Sequence, residues 1–134
     1  MRIINKKNNK LALVFLSGLG VDPIIGKRFL SNISPTARLI FPCYPKVEQL
    51  YSKNMSIVEK LLFIARYIDR QLPSHAVLIG WSFGGIIAKI IHYKNTKKNL
   101  RLITIASTPK FVSYENWPGI SDRKSTRLNS SHRL

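Results

Sequence analysis

Short apolar runs alternate with longer segments of helical periodicity along this chain of 134 residues. The apolar runs cover residues 11–16, 38–41, 76–79 and 102–106. They show little polar alternation, which is typical of strands that helices cover on both faces. Strands alternating with helices are the pattern of β-α units that build a parallel sheet. We therefore predict an α/β fold with a mostly parallel sheet and helices on both faces.

Apolar residues recur at helical spacing in the segments between these runs. The predicted helices cover residues 23–30, 57–68 and 84–92. Ser56 and Glu59 have the spacing of a capping box, which satisfies backbone N–H groups at a helix start and makes the second helix the best defined. Residues 42–54 are left unassigned.

The composition is that of a chain with one packed core. Hydrophobic residues make up 45% of the sequence, and Gly and Pro number 7 each, which excludes collagen-like and strongly disordered chains. The single cysteine, Cys43, is predicted to be a partly buried loop residue, and it excludes a disulfide framework. No apolar run is long enough for a membrane helix, and the basic N-terminus lacks a signal-peptide cleavage site. We therefore expect a cytoplasmic protein without membrane contact.

The charge is strongly unbalanced, because 22 Lys and Arg residues face 6 Asp and Glu residues, for a net charge of +16. Such a balance raises the possibility of an anionic partner. A nucleic-acid-binding module is the non-enzymatic alternative. However, the basic residues are scattered and form no stripe interleaved with aromatics, so no nucleic-acid partner is predicted. Four basic residues cluster after the helix that follows Ser82: Lys94, Lys97, Lys98 and Arg101. We expect a solvated helix end and loop there, and a phosphate-binding site is the alternative.

The most informative segment places G-x-S-x-G between an apolar strand and an apolar helix. Gly80 and Gly84 would leave room where strand and helix cross closely, since a side chain there would collide with backbone. Ser82 would then project above the carboxyl edge of the sheet at a helix N-terminus, with the Phe83 N–H available to a developing oxyanion. The sequence therefore predicts a nucleophile elbow.

A second glycine-rich segment follows the first apolar run. Residues 17–20 read Ser-Gly-Leu-Gly, at the position where hydrolases with such an elbow supply another oxyanion N–H. The donor here would be the backbone of Leu19. A plain β-α turn, which needs glycines for its own geometry, is the alternative interpretation.

These motifs resemble those of the α/β-hydrolases, and in particular the carboxylesterases of biotin synthesis that cleave the methyl ester of pimeloyl-acyl carrier protein. The resemblance is carried by IGWSFGG at 79–85, IASTPKF at 105–111 and NWPGI at 116–120. It implies an α/β-hydrolase fold with Ser82 as nucleophile, Leu19 and Phe83 as oxyanion donors, and Leu19 with Trp81 in contact with substrate.

The same resemblance implies no cofactor, no metal, an acyl carrier protein as partner and a monomeric intact protein. A hydrolase acting on another ester, thioester or lactone is the alternative. The chain departs from the family at two places. Ser17-Gly18 stands where relatives carry His-Gly, and residues 41–45 replace an Asp-x-Pro-Gly-type turn.

The acid and base of a catalytic triad are predicted to be absent from this chain. In this fold they follow the nucleophile in the order Asp or Glu, then His. His75 precedes Ser82, and His92 is predicted to be a surface residue near the end of the next helix. The remaining candidates are Glu115 or Asp122, paired with His132.

Asp122 and His132 are too close in sequence to enclose the family's lid and further strands. Residues 122–132 can also be back-translated into a sequence resembling a widely used sequencing-library adapter. We therefore expect 1–121 to be the N-terminal part of an α/β-hydrolase domain cut where the lid begins, and 122–134 to be a non-native basic tail. Such a chain is expected to be an inactive fragment.

Overall fold

The computed structural model describes residues 1–4, 11–51 and 54–108. The strands in this part of the chain are β1 (Arg2–Ile4), β2 (Ala12–Leu16), β3 (Arg38–Phe41), β4 (His75–Trp81) and β5 (Asn99–Ile105). They form one sheet of order β1-β3-β2-β4-β5, in which β1 pairs antiparallel with β3 and all other pairs are parallel. The predicted α/β architecture with a mostly parallel sheet is confirmed.

Helices connect the strands. A 3₁₀ turn at Pro23–Ile25 leads into the first helix, and the α-helices are α1 (Gly26–Ile33), α2 (Val47–Tyr51), α3 (Ile57–Asp69) and α4 (Phe83–Lys94). The predicted helices over 57–68 and 84–92 are confirmed within two residues at each end. The prediction over 23–30 merged two elements, because the Asp22 side chain caps a separate 3₁₀ turn before α1 begins.

Two elements escaped the sequence patterns. The edge strand β1 is only three residues long, and α2 lies in the unassigned segment 42–54 with only five residues. Elements this short complete too few periods to show a pattern. The last strand also begins earlier than predicted, at Asn99, because parallel pairing with β4 aligns His75 with Asn99 and extends over the whole length of β4.

Helices cover both faces of the sheet, as predicted. Alternate residues of β2 point to opposite faces, so Val14 joins one apolar cluster and Phe15 the other. The first cluster includes Ile68 of α3 and Ile87 of α4. The second includes Leu30 of α1. Burial on both faces explains why β2 reads as an uninterrupted apolar run.

The start of α3 carries the predicted capping box. The Glu59 N–H donates to Ser56 Oγ at 3.3 Å, and the Ser56 N–H donates to Glu59 Oε2 at 2.8 Å. These bonds hold the pKa of the Glu59 carboxyl below its ordinary value, because hydrogen bonds from Ser56 stabilise the ionised form.

Several predictions fall outside the described residues. These include the candidates Glu115, Asp122 and His132, the motif at 116–120 and the boundary at 121. No helix in the described ranges is long and apolar enough to cross a membrane.

Candidate active site

Ser82 occupies a strained turn between β4 and α4. Its φ of 54° lies in the left-handed region, which non-glycine residues rarely adopt. The Ser82 N–H donates to the Ile105 carbonyl at 3.0 Å, and the Ser82 carbonyl accepts from the Gly85 N–H at 3.0 Å. Ala106, directly after Ile105, also has a positive φ, of 46°. Ser82 is therefore held between the end of β5 and the first turn of α4.

The glycines of the motif sit where backbone segments approach closely. A Cβ at Gly84 would lie 2.1 Å from the Leu16 carbonyl oxygen, and one at Gly80 would lie 2.5 Å from the Gly85 Cα. Both contacts are with backbone atoms, which cannot rotate away. The crossing of β4 and α4 beside β2 therefore has no room for side chains at Gly80 and Gly84.

The loop after β2, residues 17–22, lies against Ser82. A Cβ at Gly18 would be 3.5 Å from Ser82 Cβ and 3.8 Å from Ser82 Oγ. Ser17 is fully buried, and its hydroxyl donates to the Val21 carbonyl at 2.8 Å, closing the loop on itself. Leu19, the next residue after Gly18, is 73% exposed, so its side chain faces outward. The structure thus brings Leu19, Ser82 and Phe83 to one edge of the sheet.

Tyr44 joins this loop to the start of α4, a contact that the sequence patterns did not indicate. Its hydroxyl donates to the Ser17 carbonyl at 2.9 Å, and its ring centroid lies 6.3 Å from that of Phe83. Burial raises the pKa of the Tyr44 phenol far above its ordinary value, so the hydroxyl keeps its proton as a donor. The signal available in the sequence was that residues 17 and 41–45 depart from the pattern of the family that the chain resembles.

An apolar cavity of about 520 Å³ opens beside the loop. Leu19 and Phe83 line it together with Tyr44, Val47 and Leu50. Residues 42–50 of the unassigned segment therefore form a wall of this cavity. A cavity of this size and character suits an aliphatic group of a ligand.

Trp81 lies half-buried at the end of β4 and packs against the apolar cluster on the α1 face. Its ring carbon Cε3 would be 3.9 Å from a Cβ at Gly18, so it borders the same loop. Its position next to Ser82 is compatible with the expected substrate contact, which stays a prediction.

The two histidines of the described ranges lie far from Ser82. His75 begins β4 and Trp81 ends it, so about 20 Å of strand separates them. His92 lies ten residues along α4 from Ser82, roughly 15 Å of helix. His92 lies in the last turn of α4, as expected, but it is half-buried and not fully exposed. The Tyr93 ring packs edge-on against it, and its Nδ1 has no hydrogen-bond partner among the described residues.

Cys43 lies in a loop, as predicted, but the expectation that it is partly buried was wrong, because its side chain is exposed. Both backbone groups of Cys43 bond to the amide of Gln71, the N–H donating at 3.1 Å and the carbonyl accepting at 3.0 Å. This clamp fixes the backbone and leaves the thiol outside the core. Within the described ranges, no group of three or more His, Cys, Asp or Glu residues is placed to hold a metal ion.

The basic cluster after α4 is a helix end and loop, as predicted, and three of its four side chains are exposed, whereas Lys98 is half-buried and paired with Asp69. Lys98 Nζ lies 3.1 Å from Asp69 Oδ1, and the backbone N–H groups of Lys97 and Lys98 donate to the Asn95 side chain. These contacts tie the end of α3 to the connection before β5. The cluster lies at the opposite edge of the sheet from Ser82.

The sequence is similar to a group of curated bacterial proteins, although no family model matches it. It is 30% identical over 111 residues to the pimeloyl-[acyl-carrier protein] methyl ester esterase of Pectobacterium carotovorum, 39% over 108 residues to that of Citrobacter koseri, and 28% over 119 residues to that of Legionella pneumophila. The matches cover 81%, 81% and 89% of this chain. They span 41%, 41% and 47% of the relatives' own lengths, so the chain spans less than half of the proteins it resembles.

The fold is shared with proteins of known structure. MenH from S. aureus superposes with a TM-score of 0.60 at 19% identity, over 96% of this chain and 46% of MenH. An α/β-hydrolase from a Medee basin deep-sea metagenome library superposes with a TM-score of 0.58 at 17% identity, over 77% of this chain and 38% of its own. The chain therefore has the α/β-hydrolase fold and is related in sequence to the pimeloyl-[acyl-carrier protein] methyl ester esterases.

Proposed function

We propose that this chain carries the nucleophile and oxyanion hole of a serine carboxylesterase that hydrolyses the methyl ester of pimeloyl-acyl carrier protein. The observation that carries the proposal is the strained Ser82 between β4 and α4, packed against Gly18 of the loop after β2. The relatives' names supply the substrate. A cytoplasmic location, a monomeric intact protein and an acyl carrier protein as partner belong to the same proposal.

In the proposed reaction, Ser82 Oγ attacks the ester carbonyl carbon and loses its proton to a general base. The carbonyl oxygen becomes an oxyanion, which the N–H groups of Leu19 and Phe83 stabilise together with the N-terminus of α4. Collapse of the tetrahedral intermediate expels methanol and leaves an acyl-enzyme. Water then attacks the acyl-enzyme, and the acid is released.

The general base has no candidate among residues 1–4, 11–51 and 54–108, because both histidines there are remote from Ser82. We propose that the base and its orienting acid belong to sequence that this chain lacks. Residues 122–134 are, in the same proposal, a non-native basic tail. Resequencing the locus tests this directly. A continuous reading frame encoding a lid and a later Asp and His supports it, and a genuine stop codon after Leu134 contradicts it.

The nucleophile is tested with a short-chain p-nitrophenyl ester. We expect at most trace turnover from the 134-residue chain, because enzymes without triad members retain only the oxyanion-hole and binding contributions. Ser82→Ala should remove that trace, whereas Ser74→Ala, at an exposed serine before β4, should not. Measurable turnover that is equal in Ser82→Ala and wild type would refute Ser82 as nucleophile. Robust Ser82-dependent turnover would show that the base lies within the chain.

The substrate is tested separately from the nucleophile. The uninterrupted gene should restore growth of a biotin auxotroph that lacks the methyl esterase, and its Ser82→Ala form should not. Growth failure combined with Ser82-dependent hydrolysis of p-nitrophenyl esters would favour the alternative of a hydrolase acting on another ester, thioester or lactone.

A further inference from the structure

We propose that Tyr44 is a positioning residue that holds both oxyanion donors of this site in register through one side chain. The inference rests on the proposed function, because it assigns a role within the same site. Its basis is that Tyr44 contacts both halves of the site, the loop that contains Leu19 and the first turn of α4 that contains Phe83.

The contact with the loop is made through the Tyr44 hydroxyl. It donates to the Ser17 carbonyl at 2.9 Å, two residues before the Leu19 N–H. The Ser17 hydroxyl donates to the Val21 carbonyl, so the loop is closed at its base and anchored there from outside. Within the loop, the Val21 N–H donates to the Gly18 carbonyl at 3.4 Å, and Asp22 accepts from the N–H groups of Ile24 and Ile25. These bonds join residues that are close in sequence, whereas the Tyr44 hydroxyl anchors the loop to a distant part of the chain.

The contact with α4 is made through the ring. The Tyr44 and Phe83 centroids are 6.3 Å apart at an interplanar angle of 37°, within the range of favourable aromatic pairs. Phe83 is the first residue of α4, and its N–H is the second proposed donor. The Tyr44 ring therefore restricts the side chain of the residue whose N–H is that donor. One residue thus spans the two segments whose separation sets the width of the oxyanion hole.

The two hydrogen bonds of Ser17 have separate parts in holding the loop. The Ser17 carbonyl accepts from the Tyr44 hydroxyl, and the Ser17 hydroxyl donates to the Val21 carbonyl. The loop is thus tied to Tyr44 at the residue at which it closes on itself. Misplacement of a catalytic group by about 1 Å costs up to roughly a hundredfold in rate, so such support has a catalytic consequence.

The test measures the oxyanion hole without requiring turnover. Phenylboronic acid reacts with a serine when the Oγ adds to boron, the hydroxyl proton leaves to water, and boron becomes a tetrahedral anion. Binding is followed by NMR at the Leu19 and Phe83 amides, and loop order by backbone ¹⁵N relaxation at Gly18 and Gly20. The variant is Tyr44→Phe, which keeps the ring and deletes the hydroxyl. The control is Tyr67→Phe, at a half-buried tyrosine of α3.

We expect Tyr44→Phe to weaken boronate binding roughly tenfold and to lower the order parameters of Gly18 and Gly20, with a melting temperature close to that of Tyr67→Phe. Tyr67→Phe should change neither binding nor order. If Tyr44→Phe bound the boronic acid and ordered the loop as wild type does, the proposal would be overturned. Equal losses of affinity and of loop order in Tyr44→Phe and Tyr67→Phe would also overturn it, because they would indicate a general loosening of the structure.

Two further measurements separate the possible failures. If Ser82→Ala binds the boronic acid as wild type does, the proposed function fails, and the relaxation data alone then decide the role of Tyr44. In the wild-type protein, the Tyr44 hydroxyl proton should exchange slowly with solvent because it is hydrogen-bonded and largely buried. Fast exchange of this proton would contradict the hydrogen bond from Tyr44 to the Ser17 carbonyl, and this measurement does not depend on whether Tyr44→Phe folds.

Discussion

Replacing Gly84 by alanine tests the close approach on which the elbow depends. The added Cβ would lie 2.1 Å from the Leu16 carbonyl oxygen, 2.5 Å from the Leu16 carbonyl carbon and 2.6 Å from the Ser17 carbonyl oxygen. An ordinary contact begins at 3.4 Å, so β2 and the start of α4 must separate by about 1.3 Å. Overpacking a core by one carbon costs about 1–3 kcal/mol. Because the added Cβ would meet backbone atoms, which cannot rotate away, we expect Gly84→Ala to lower the free energy of unfolding by the upper end of this range, about 3 kcal/mol.

The matched control is Gly20→Ala. Gly20 has φ of +70° but no atom within 4 Å of its added Cβ, so the substitution introduces backbone strain without collision. We expect a loss of about 1 kcal/mol from it. Urea or thermal unfolding followed by circular dichroism measures both, with melting temperatures lower by roughly 10–15 °C for Gly84→Ala and 4 °C for Gly20→Ala. A Gly84→Ala variant within about 1 kcal/mol of wild type, or more stable than Gly20→Ala, would refute the reasoning.

Two further outcomes follow from the core and from the α3 capping box. Leu78→Ala removes a fully buried side chain of β4 and should cost about 2–5 kcal/mol in unfolding free energy, whereas Ile57→Ala, at a side chain 77% exposed, should stay within about 0.5 kcal/mol of wild type. Comparable losses in the two would contradict the burial. The lowered pKa of Glu59 contributes stability that is present above its unfolded-state pKa and is lost as the pH falls through the lowered folded value. Below about pH 5, wild-type stability should therefore fall more steeply than that of Glu59→Gln, and parallel curves would contradict the capping box.

The elements that the sequence predicted are those whose cause is local. The capping box of α3 needs only Ser56 and Glu59, three residues apart. The turn at Ser82 is marked by the two glycines that flank it, because the crossing of strand and helix excludes side chains there. The buried strands β2 and β4 were recognisable since burial on both faces makes a strand continuously apolar.

Contacts between distant residues were beyond such patterns. Tyr44 bonds to Ser17 across 27 positions, and Gln71 clamps Cys43 across 28. No periodicity links such pairs, so the exposed Cys43 and the wall of the cavity at 42–50 appeared only in the structure. The short α2 and the edge strand β1 likewise depend on what they pack against.

By itself, the sequence determined the α/β class, the strand–turn–helix unit around Ser82 and the glycines that permit it, because backbone sterics and local hydrogen bonding act between neighbours. Only the tertiary structure decided that the loop after β2 lies against Ser82 and that Tyr44 joins that loop to α4. These relations arise when parallel strands align their carboxyl ends and bring separate loops together, and that alignment is a property of the packed sheet.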